Sequence, residues 1–253
     1  MGHWYCAETG EARYTYTNSK GEEKDTTKRE ARKLNLVPSV TGIIDVIAKP
    51  GLEVWKEQQL LKAVLDWPPP DDFDQTELTP EEWIKQIKLI ASAIGREAAE
   101  RGRQIHDALE QWFSDPPVNT QDPFITTAVD CIYSELGTSS AFSWVPEASF
   151  ARDGYGGKID LHSKSGQGII IDFKTKITSD KKKMKATDSN IMQLAAYRHG
   201  LDLPNARCYN LFISTEEAGV LHLQEITEEE LQRGWQMFKS LLKYWQLVNK
   251  FGE

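Results

Sequence analysis

Apolar residues follow helical spacing in the first half of the chain and form short strand-like runs in the second. Four or five strands are predicted from these runs, and the candidates are residues 142–151, 157–163, 168–175, 206–214 and 219–225. A helix over residues 189–200 lies between the third and fourth strands, and Gly200 ends it. A last helix begins at the capping pair Thr227 and Glu230. The pattern predicts a mixed α/β sheet packed with helices, in the order α, β, β, β, α, β, β, α.

Three helices are predicted before the strands. A capping box of Thr79 and Glu82, with proline at the first helical position, begins a helix that runs to about Ile94. A second helix covers residues 96–113 and a third residues 122–137. The second carries one apolar stripe, made of Ala98, Gly102, Ile105, Leu109 and Trp112.

The first 78 residues are expected to form an extension of the core. They comprise a polar start with a hairpin, a short helix, an amphipathic helix and a linker, at residues 4–36, 38–51, 52–65 and 66–78. The short helix is capped by Ser39 or Thr41. Because the linker is rich in proline and aspartate, it is the one plausible internal boundary. We therefore expect an N-terminal hairpin and helical extension at residues 1–78, and a core with its C-terminal helix at residues 79–253.

Composition and charge restrict the class of protein. The 253 residues are 40% hydrophobic and 27% charged, which is typical of a soluble globular protein. A net charge of −8 argues against coating nucleic acid through bulk electrostatics. The densest positive run comprises Lys181, Lys182, Lys183 and Lys185; it is a solvated loop by default, with phosphate contact as the alternative.

No apolar run approaches the ~20 residues that span a bilayer, and the start lacks a signal-peptide pattern. We therefore expect a cytosolic protein with no membrane partner. The three cysteines, Cys6, Cys131 and Cys208, are too few and too scattered for a disulfide framework or a CxxC metal knuckle.

Two of the predicted strands, joined by a turn near Gly166, bring acidic residues together. If this hairpin is symmetric, Asp160 lies opposite Asp172. Facing side chains have Cβ atoms ~4.5–5.5 Å apart, and like charges there are destabilising. Alternation adds Lys158 and Lys174 to the same face. The opposite face carries Ile159, Leu161, Ile171 and Phe173. One face is thus expected to pack and the other to carry chemistry.

Two carboxylates side by side favour a hard divalent cation such as Mg²⁺ or Mn²⁺. Lys174 beside them can hold an attacking water or stabilise charge that develops on a phosphate. A surface ion-pair cluster is the alternative, and it would be preferred for a single Asp-x-Lys. The combination of two apposed aspartates with a lysine favours a site.

These residues resemble the PD-(D/E)XK nuclease superfamily, whose restriction-endonuclease-like core has the order αβββαβ, with a central mixed sheet flanked by helices. Asp160 corresponds to the first acid of the motif, and Asp172, Phe173 and Lys174 correspond to its second part. Ile159 stands where the motif usually has proline. The resemblance covers about residues 95–225.

Two helical motifs extend the resemblance to the RecB-like branch. Gly102 and His106 in "RGRQIHDALE" are similar to its Gly-x-x-x-His motif, and Gln193 and Tyr197 in "QLAAYRHG" to its Gln-x-x-x-Tyr motif. Alone, such a histidine is more often a packing residue, and such a Gln/Tyr pair is the polar side of an amphipathic helix. Glu147 stands where family members often carry another acid; it binds or orients a metal, or it is a solvated glutamate.

The resemblance implies a divalent-metal-dependent DNA exonuclease. The implied metal ligands are His106, Asp160, Asp172, the main-chain carbonyl of Phe173, and Glu147. The implied catalytic residues are Asp160, Asp172, Lys174, Gln193 and Tyr197. The residues expected to contact DNA are Lys181, Lys182, Lys183, Lys185 and Arg198. The implied cofactor is Mg²⁺ or Mn²⁺, and the three scattered cysteines cannot supply the four ligands of the iron–sulfur cluster that some members carry.

The N-terminal helices are more loosely similar to those of mitochondrial genome maintenance exonucleases and their phage relatives. This similarity implies a possible arch over single-stranded DNA ends, and a role in replication, recombination or repair in the cytoplasm of a bacterial or phage-infected cell. Replication or recombination proteins are then possible partners. Two alternatives stay open: a structure-specific endonuclease of the same superfamily, and a non-catalytic nucleic-acid-binding protein that keeps the fold.

Overall fold

The computed structural model describes residues 3–73, 78–118 and 120–251. Its contacts divide the chain into two compact units, one formed by Met1–Val46 with Ile105–Glu253 and the other by Ile47–Gln104. The smaller unit is therefore an insertion in the sequence of the larger one, whereas the sequence predicted a single boundary after residue 78. Residues 74–77 of the predicted linker lie outside the described residues.

The smaller unit is helical. Its helices are α3 (Pro50–Asp66) and the first part of α4 (Pro80–Phe113). The sequence predicted two helices where α4 is one, with a break near Gly95. A glycine inside a helix costs ~1 kcal/mol relative to alanine. Here the ring of Trp55 packs 3.4 Å from the place that a Cβ of Gly95 would occupy, so the bare backbone makes room for a tryptophan.

Short elements form the start of the larger unit. They are β1 (Trp4–Cys6), β2 (Thr15–Thr17), β3 (Glu23–Asp25), α1 (Lys28–Lys33), β4 (Leu36–Pro38) and α2 (Val40–Ile44). The predicted hairpin is the antiparallel pair β2 and β3, while the pair β1 and β4 was not predicted. Strands of three residues are too short to show alternation. Ser39 rather than Thr41 caps α2, because its Oγ accepts from the Gly42 N–H at 2.9 Å.

A five-stranded mixed sheet forms the centre of the larger unit. Its strands are β5 (Val145–Arg152), β6 (Tyr155–Ser163), β7 (Ile169–Lys176), β8 (Arg207–Ser214) and β9 (Leu221–Ile226). They lie in the order β5-β6-β7-β8-β9, and β7 and β8 are parallel while the other neighbours are antiparallel. The helices that flank it are α5 (Pro123–Leu136), α6 (Asp188–Gly200) and α7 (Glu228–Asn249). The helix α6 connects the parallel pair, as parallel pairing requires. The predicted mixed α/β class and the order of its elements are confirmed.

Helices cover both faces of this sheet. Ile105 and Leu109 of α4 pack with α5 against Leu161, Ile171 and Phe173, as the alternation predicted. On the other face α6 contacts β7 and β8, and α7 packs on α6. The face of β7 that was predicted to carry chemistry is therefore also covered by a helix. Asp172 and Ile170 on that face are both buried.

The C-terminal helix α7 begins at the predicted capping box. Thr227 N–H donates to Glu230 Oε2 at 2.9 Å, and Glu230 N–H donates to Thr227 Oγ1 at 3.2 Å. Its buried apolar face includes Leu231, Phe238 and Trp245. Among the described residues, no helix combines the length and the apolar character that crossing a membrane requires.

Candidate active site

The hairpin of β6 and β7 has the register that the sequence predicted, but its two strands separate at the acidic residues. Leu161 pairs with Ile171, and the ladder continues from there toward the turn. Away from the turn, the ladder ends at this pair, one residue before Asp160 and Asp172. The Phe173 N–H, which would otherwise pair with the main chain of β6, donates instead to Asp160 Oδ2 at 2.7 Å. A carboxylate therefore takes the place of a backbone partner where the strands diverge.

Asp172 is almost completely buried, with 1% of its surface exposed. Asn210 Nδ2 on the neighbouring strand β8 donates to Asp172 Oδ2 at 2.9 Å. Lys174 Nζ lies 2.5 Å from the same oxygen. Both interactions end on Oδ2, so Asp172 Oδ1 receives no hydrogen bond from the residues that the structure describes. The second oxygen is available for another ligand.

The two carboxylates differ in how their charge is stabilised. Burial, together with the charge of Asp160, raises the pKa of Asp172 to about 6 against the opposing effects of Lys174 and His106. Burial also raises the pKa of Asp160, but the hydrogen bond and the charge of His106, together with Lys174, outweigh it and hold this pKa below its ordinary value. The pair therefore carries one firmly ionised carboxylate and one that is poorly compensated, which is a place for a cation.

His106 lies at this site, as the helical motif implied. Its Nδ1 is 3.6 Å from Asp160 Oδ1, and its ring meets the ring of Phe173 edge to face at 5.8 Å. Burial lowers the pKa of His106, but the proximity of Asp160 and Asp172 outweighs this effect and raises it. The imidazole is thus placed to ligate the same ion as Asp160 or to donate a proton to that carboxylate.

A chain of hydrogen bonds extends from Lys174 into α6. Lys174 Nζ donates to Gln193 Oε1 at 3.1 Å, and Gln193 Nε2 donates to Tyr197 OH at 2.8 Å. Burial raises the pKa of Tyr197 well above its ordinary value, so the phenol stays neutral. Gly157 on β6 leaves room for this ring, since a Cβ there would lie 2.8 Å from Tyr197 Cε1. The i, i+4 pair on the helix thereby fixes the direction of the lysine.

Glu147 is near the site, but it is not joined to the carboxylates by a contact among the described residues. The pairing of β5 with β6 places it across from Asp160, between the pairs Pro146–Leu161 and Ala148–Ile159. Its backbone is left-handed, with φ of +53°, and its carboxylate forms an ion pair with Lys158. The structure therefore places Glu147 with a lysine rather than with the aspartates.

The residues expected to contact DNA fall into two groups. Lys181–Lys183 form a single helical turn after β7, and Lys185 follows them in the same exposed loop. Arg198 is not part of that group, because its guanidinium pairs with both oxygens of Glu228 on α7, at 2.5 and 3.0 Å. The structure thus brings together the four lysines and leaves the arginine in a helix–helix contact.

Asn210 is a site residue that the sequence analysis missed. It is fully buried on β8, its Nδ2 binds Asp172, and its Oδ1 has no hydrogen-bond partner among the described residues. The available signal was one amide inside the apolar strand "RCYNLFIS". A buried polar side chain requires a partner. That the partner is Asp172 follows from the parallel register, in which Asp172 pairs with Asn210.

The residues present fit a hard divalent cation. Among the described residues no three His, Cys, Asp and Glu side chains gather into a ready-made metal-binding group. The Oδ1 atoms of Asp160 and Asp172 nevertheless come with a main-chain carbonyl, because the N–H and C=O of Phe173 point to the same side of an extended strand and the N–H faces Asp160. Magnesium commonly combines one or two carboxylates with several waters, so this set is sufficient.

Comparisons with known proteins add little to this description. No protein-family model matches the chain, and no curated protein matches it. Among solved structures, the crystal structure of SSO0001 is similar at 12% sequence identity with a TM-score of 0.30, over 75% of this chain and 85% of that one. A likeness at this level supports no statement about fold family or function.

Proposed function

We propose that this chain is a divalent-metal-dependent deoxyribonuclease that hydrolyses phosphodiester bonds. One observation carries the proposal: Asp160, Asp172 and Lys174 converge where β6 and β7 separate. A structural role alone does not account for a buried carboxylate with a raised pKa beside a second carboxylate, since like charges at such a position are destabilising. Perturbed carboxylates of this kind are concentrated at functional sites.

Each residue has a role in this proposal. Asp160 and Asp172, with the Phe173 carbonyl and His106, would hold Mg²⁺ or Mn²⁺, which lowers the pKa of a bound water and offsets charge on the phosphate. Lys174 orients the attacking water or stabilises the negative charge that develops on the phosphate. Gln193 and Tyr197 position Lys174 through the hydrogen-bond chain. Asn210 orients Asp172 through Oδ2, so that Oδ1 would be left for the ion.

The proposal includes the PD-(D/E)XK fold of the RecB-like branch. The order α5, β5, β6, β7, α6, β8 supports it, because this is the αβββαβ order of that core. So does the position of the implied residues, which come from four separate elements and meet at one end of the sheet. Within this branch, we propose exonuclease action on DNA ends, single-stranded ones above all, in replication, recombination or repair.

A cleavage assay tests the proposal. End-labelled single-stranded and duplex oligonucleotides are incubated with Mg²⁺, with Mn²⁺ or with EDTA, using the wild type and the variants Asp160→Asn and Asp172→Asn. Degradation should require the metal and fall at least 10²-fold in either variant, because each removes an ionised ligand. The matched control is Asp107→Asn, an exposed aspartate of α4. Equal cleavage by all four proteins would show that the site is not the one described here.

Circular single-stranded DNA distinguishes the exonuclease from an endonuclease. An exonuclease requires an end, so the closed circle should survive while the linear form of the same sequence is degraded. Cleavage of the circle would favour the endonuclease alternative. Binding of both forms without cleavage, under every metal condition, would favour the non-catalytic alternative.

A further inference from the structure

The lysine-rich loop after β7, residues 181–185, is held in place by three internal anchors. Lys176 Nζ donates to the carbonyl of Lys183 at 2.8 Å and lies 3.5 Å from that of Lys185. The side chain of Met184 is fully buried. The N–H of Ala186, just after the loop, donates to Gln224 Oε1 on β9 at 2.8 Å. A highly charged loop is therefore ordered without help from a ligand.

Lys176 differs from the other lysines of this region. It is partly buried, its ammonium lies 4.7 Å from the centre of the Phe212 ring, and its hydrogen bonds go to loop carbonyls rather than to acids. An ammonium has three donors and no acceptor, so it can hold two carbonyls of the loop at once. Lys176 therefore stabilises the conformation of the loop by binding its carbonyls.

The lysines of the loop face outward. Lys181, Lys182, Lys183 and Lys185 are exposed, and none of them forms an ion pair with a described residue. Lys181 lines a groove whose other lining residues include the acidic Asp130 and Glu135. Lys182, Lys183 and Lys185 thus form a compact positive surface on a chain whose net charge is −8. Like charges carried on neighbouring residues repel each other, and an anionic ligand would relieve that repulsion.

The loop also stands at a defined distance from the candidate active site. Asp172, Lys174 and Lys176 alternate along one face of β7, so Asp172 and Lys176 are four residues apart, or ~13 Å at the rise of a strand. One strand of DNA advances ~3.4 Å per nucleotide in the duplex. A distance of ~13 Å therefore corresponds to about four nucleotide steps along a duplex, and to fewer along a more extended single strand.

We propose that residues 181–185 form a preordered clamp that binds backbone phosphates within about four nucleotides of the bond to be cleaved, and that Lys176 is the positioning residue that holds the clamp in shape. That the bound strand is also the substrate rests on the proposed function. That the loop binds a chain of phosphates does not. Lys182, Lys183 and Lys185 contact the phosphates, and Lys176 contacts only the loop.

The first test measures binding in EDTA, where metal-dependent cleavage cannot occur. Fluorescence anisotropy of a labelled 20-nucleotide single strand is followed over a range of salt concentrations. The double variant Lys182→Gln/Lys183→Gln should bind about ten-fold more weakly. The slope of log K against log salt should become shallower by about 1.4, at about 0.7 for each lost contact to a single strand. The control is Lys164→Gln, an exposed lysine at the opposite end of the same hairpin. Unchanged affinity and slope in the double variant would overturn the clamp.

The second test separates Lys176 from the contacts themselves. In Lys176→Met the amides of residues 181–185 should exchange hydrogen at least ten-fold faster in the absence of DNA, and the affinity for the 20-mer should fall as in the double variant. The double variant itself should keep the slow exchange, since Lys182 and Lys183 side chains do not anchor the loop. Slow exchange in Lys176→Met would overturn the positioning role, and circular dichroism identifies a variant that has simply unfolded.

A length series connects the clamp to cleavage. With Mg²⁺ or Mn²⁺, the KM of the double variant should exceed that of the wild type for long oligonucleotides. This difference should vanish for the shortest substrates, which end before they reach the loop. A difference that persists for the shortest substrates would contradict the proposed distance. If the wild type cleaves nothing while binding still depends on Lys182 and Lys183, the nuclease proposal fails and the clamp stands.

Discussion

Replacing Asp172 with asparagine should stabilise the metal-free protein at alkaline pH while it removes cleavage. Burial raises the pKa of this carboxyl from 3.8 to about 6. The folded protein therefore holds the proton more tightly than the unfolded chain does. Between these two pKa values the folded state binds more protons, so the free energy of unfolding falls as the pH rises through this range and stays low above it.

The size of the effect follows from the same two values. At ~1.4 kcal/mol per pKa unit, the ionised carboxylate costs ~3 kcal/mol above pH 7. The attraction of Lys174 is already included, because it lowers the same pKa. Asparagine keeps the shape and removes the charge, so the variant should gain ~1–3 kcal/mol at pH 8. The difference between variant and wild type should then shrink by ~2 kcal/mol at pH 4.5, because the folded carboxyl is largely protonated there while that of the unfolded chain is still mostly ionised.

Urea unfolding in EDTA, followed by circular dichroism at pH 8 and pH 4.5, measures this difference directly. The exposed Asp107→Asn serves as the control and should show no comparable dependence on pH. Mn²⁺ should then raise the melting temperature of the wild type but not that of Asp172→Asn, because only the wild type offers the second carboxylate. A variant that is less stable than the wild type by the same amount at both pH values would refute the reasoning, since the carboxylate would then be stabilised by its surroundings.

Three further variants test the rest of the site. Lys174→Gln should lower kcat by ~10²–10³-fold, as the loss of one charge-stabilising donor does, while isothermal titration still detects metal binding; loss of metal binding would contradict the assigned role. Tyr197→Phe leaves Gln193 Nε2 without its acceptor and should cost ~1–3 kcal/mol of stability. It should also reduce kcat more than it changes KM. Full activity at normal stability would argue against the hydrogen-bond chain. Gly157→Ala places a Cβ 2.8 Å from the Tyr197 ring and should destabilise the protein by ~1–3 kcal/mol. Gly51→Ala is the control, because the space around Gly51 is open, and it should not destabilise the protein. The melting temperatures of the two variants and the wild type measure the difference.

Much of the architecture could be predicted because its signals are local. Capping boxes at Thr79 and Thr227 and the alternation in β6 and β7 depend on residues close in sequence, and each forms as predicted. The break expected at Gly95 was wrong for the opposite reason. A glycine lowers helix propensity wherever it stands, but the tryptophan that fills the space beside it comes from a separate helix, and no local pattern contains that contact.

In the candidate site, too, the features set by local sequence were predicted and those set by distant residues were not. The hairpin register placed Asp160 and Asp172 together because a short turn sets the pairing. The sequence could not indicate that the ladder ends one residue before them, or that Asp160 would bind the Phe173 N–H. Asn210 was missed because it comes from β8, which the crossover through α6 brings alongside β7. Arg198 was assigned to DNA by its charge, while its partner Glu228 lies 30 residues away on a helix whose packing the sequence does not specify.

The amino-acid sequence by itself determined which residues carry charge and most of the strands and helices of the central sheet, because periodicity, caps and turns act over a few residues. Only the tertiary structure decided which of those charges meet. Asp172 is an ordinary aspartate in the sequence, and its raised pKa arises from burial between elements that are distant along the chain. Burial and electrostatic interaction depend on distance in space, and the chain sets that distance only when it has folded.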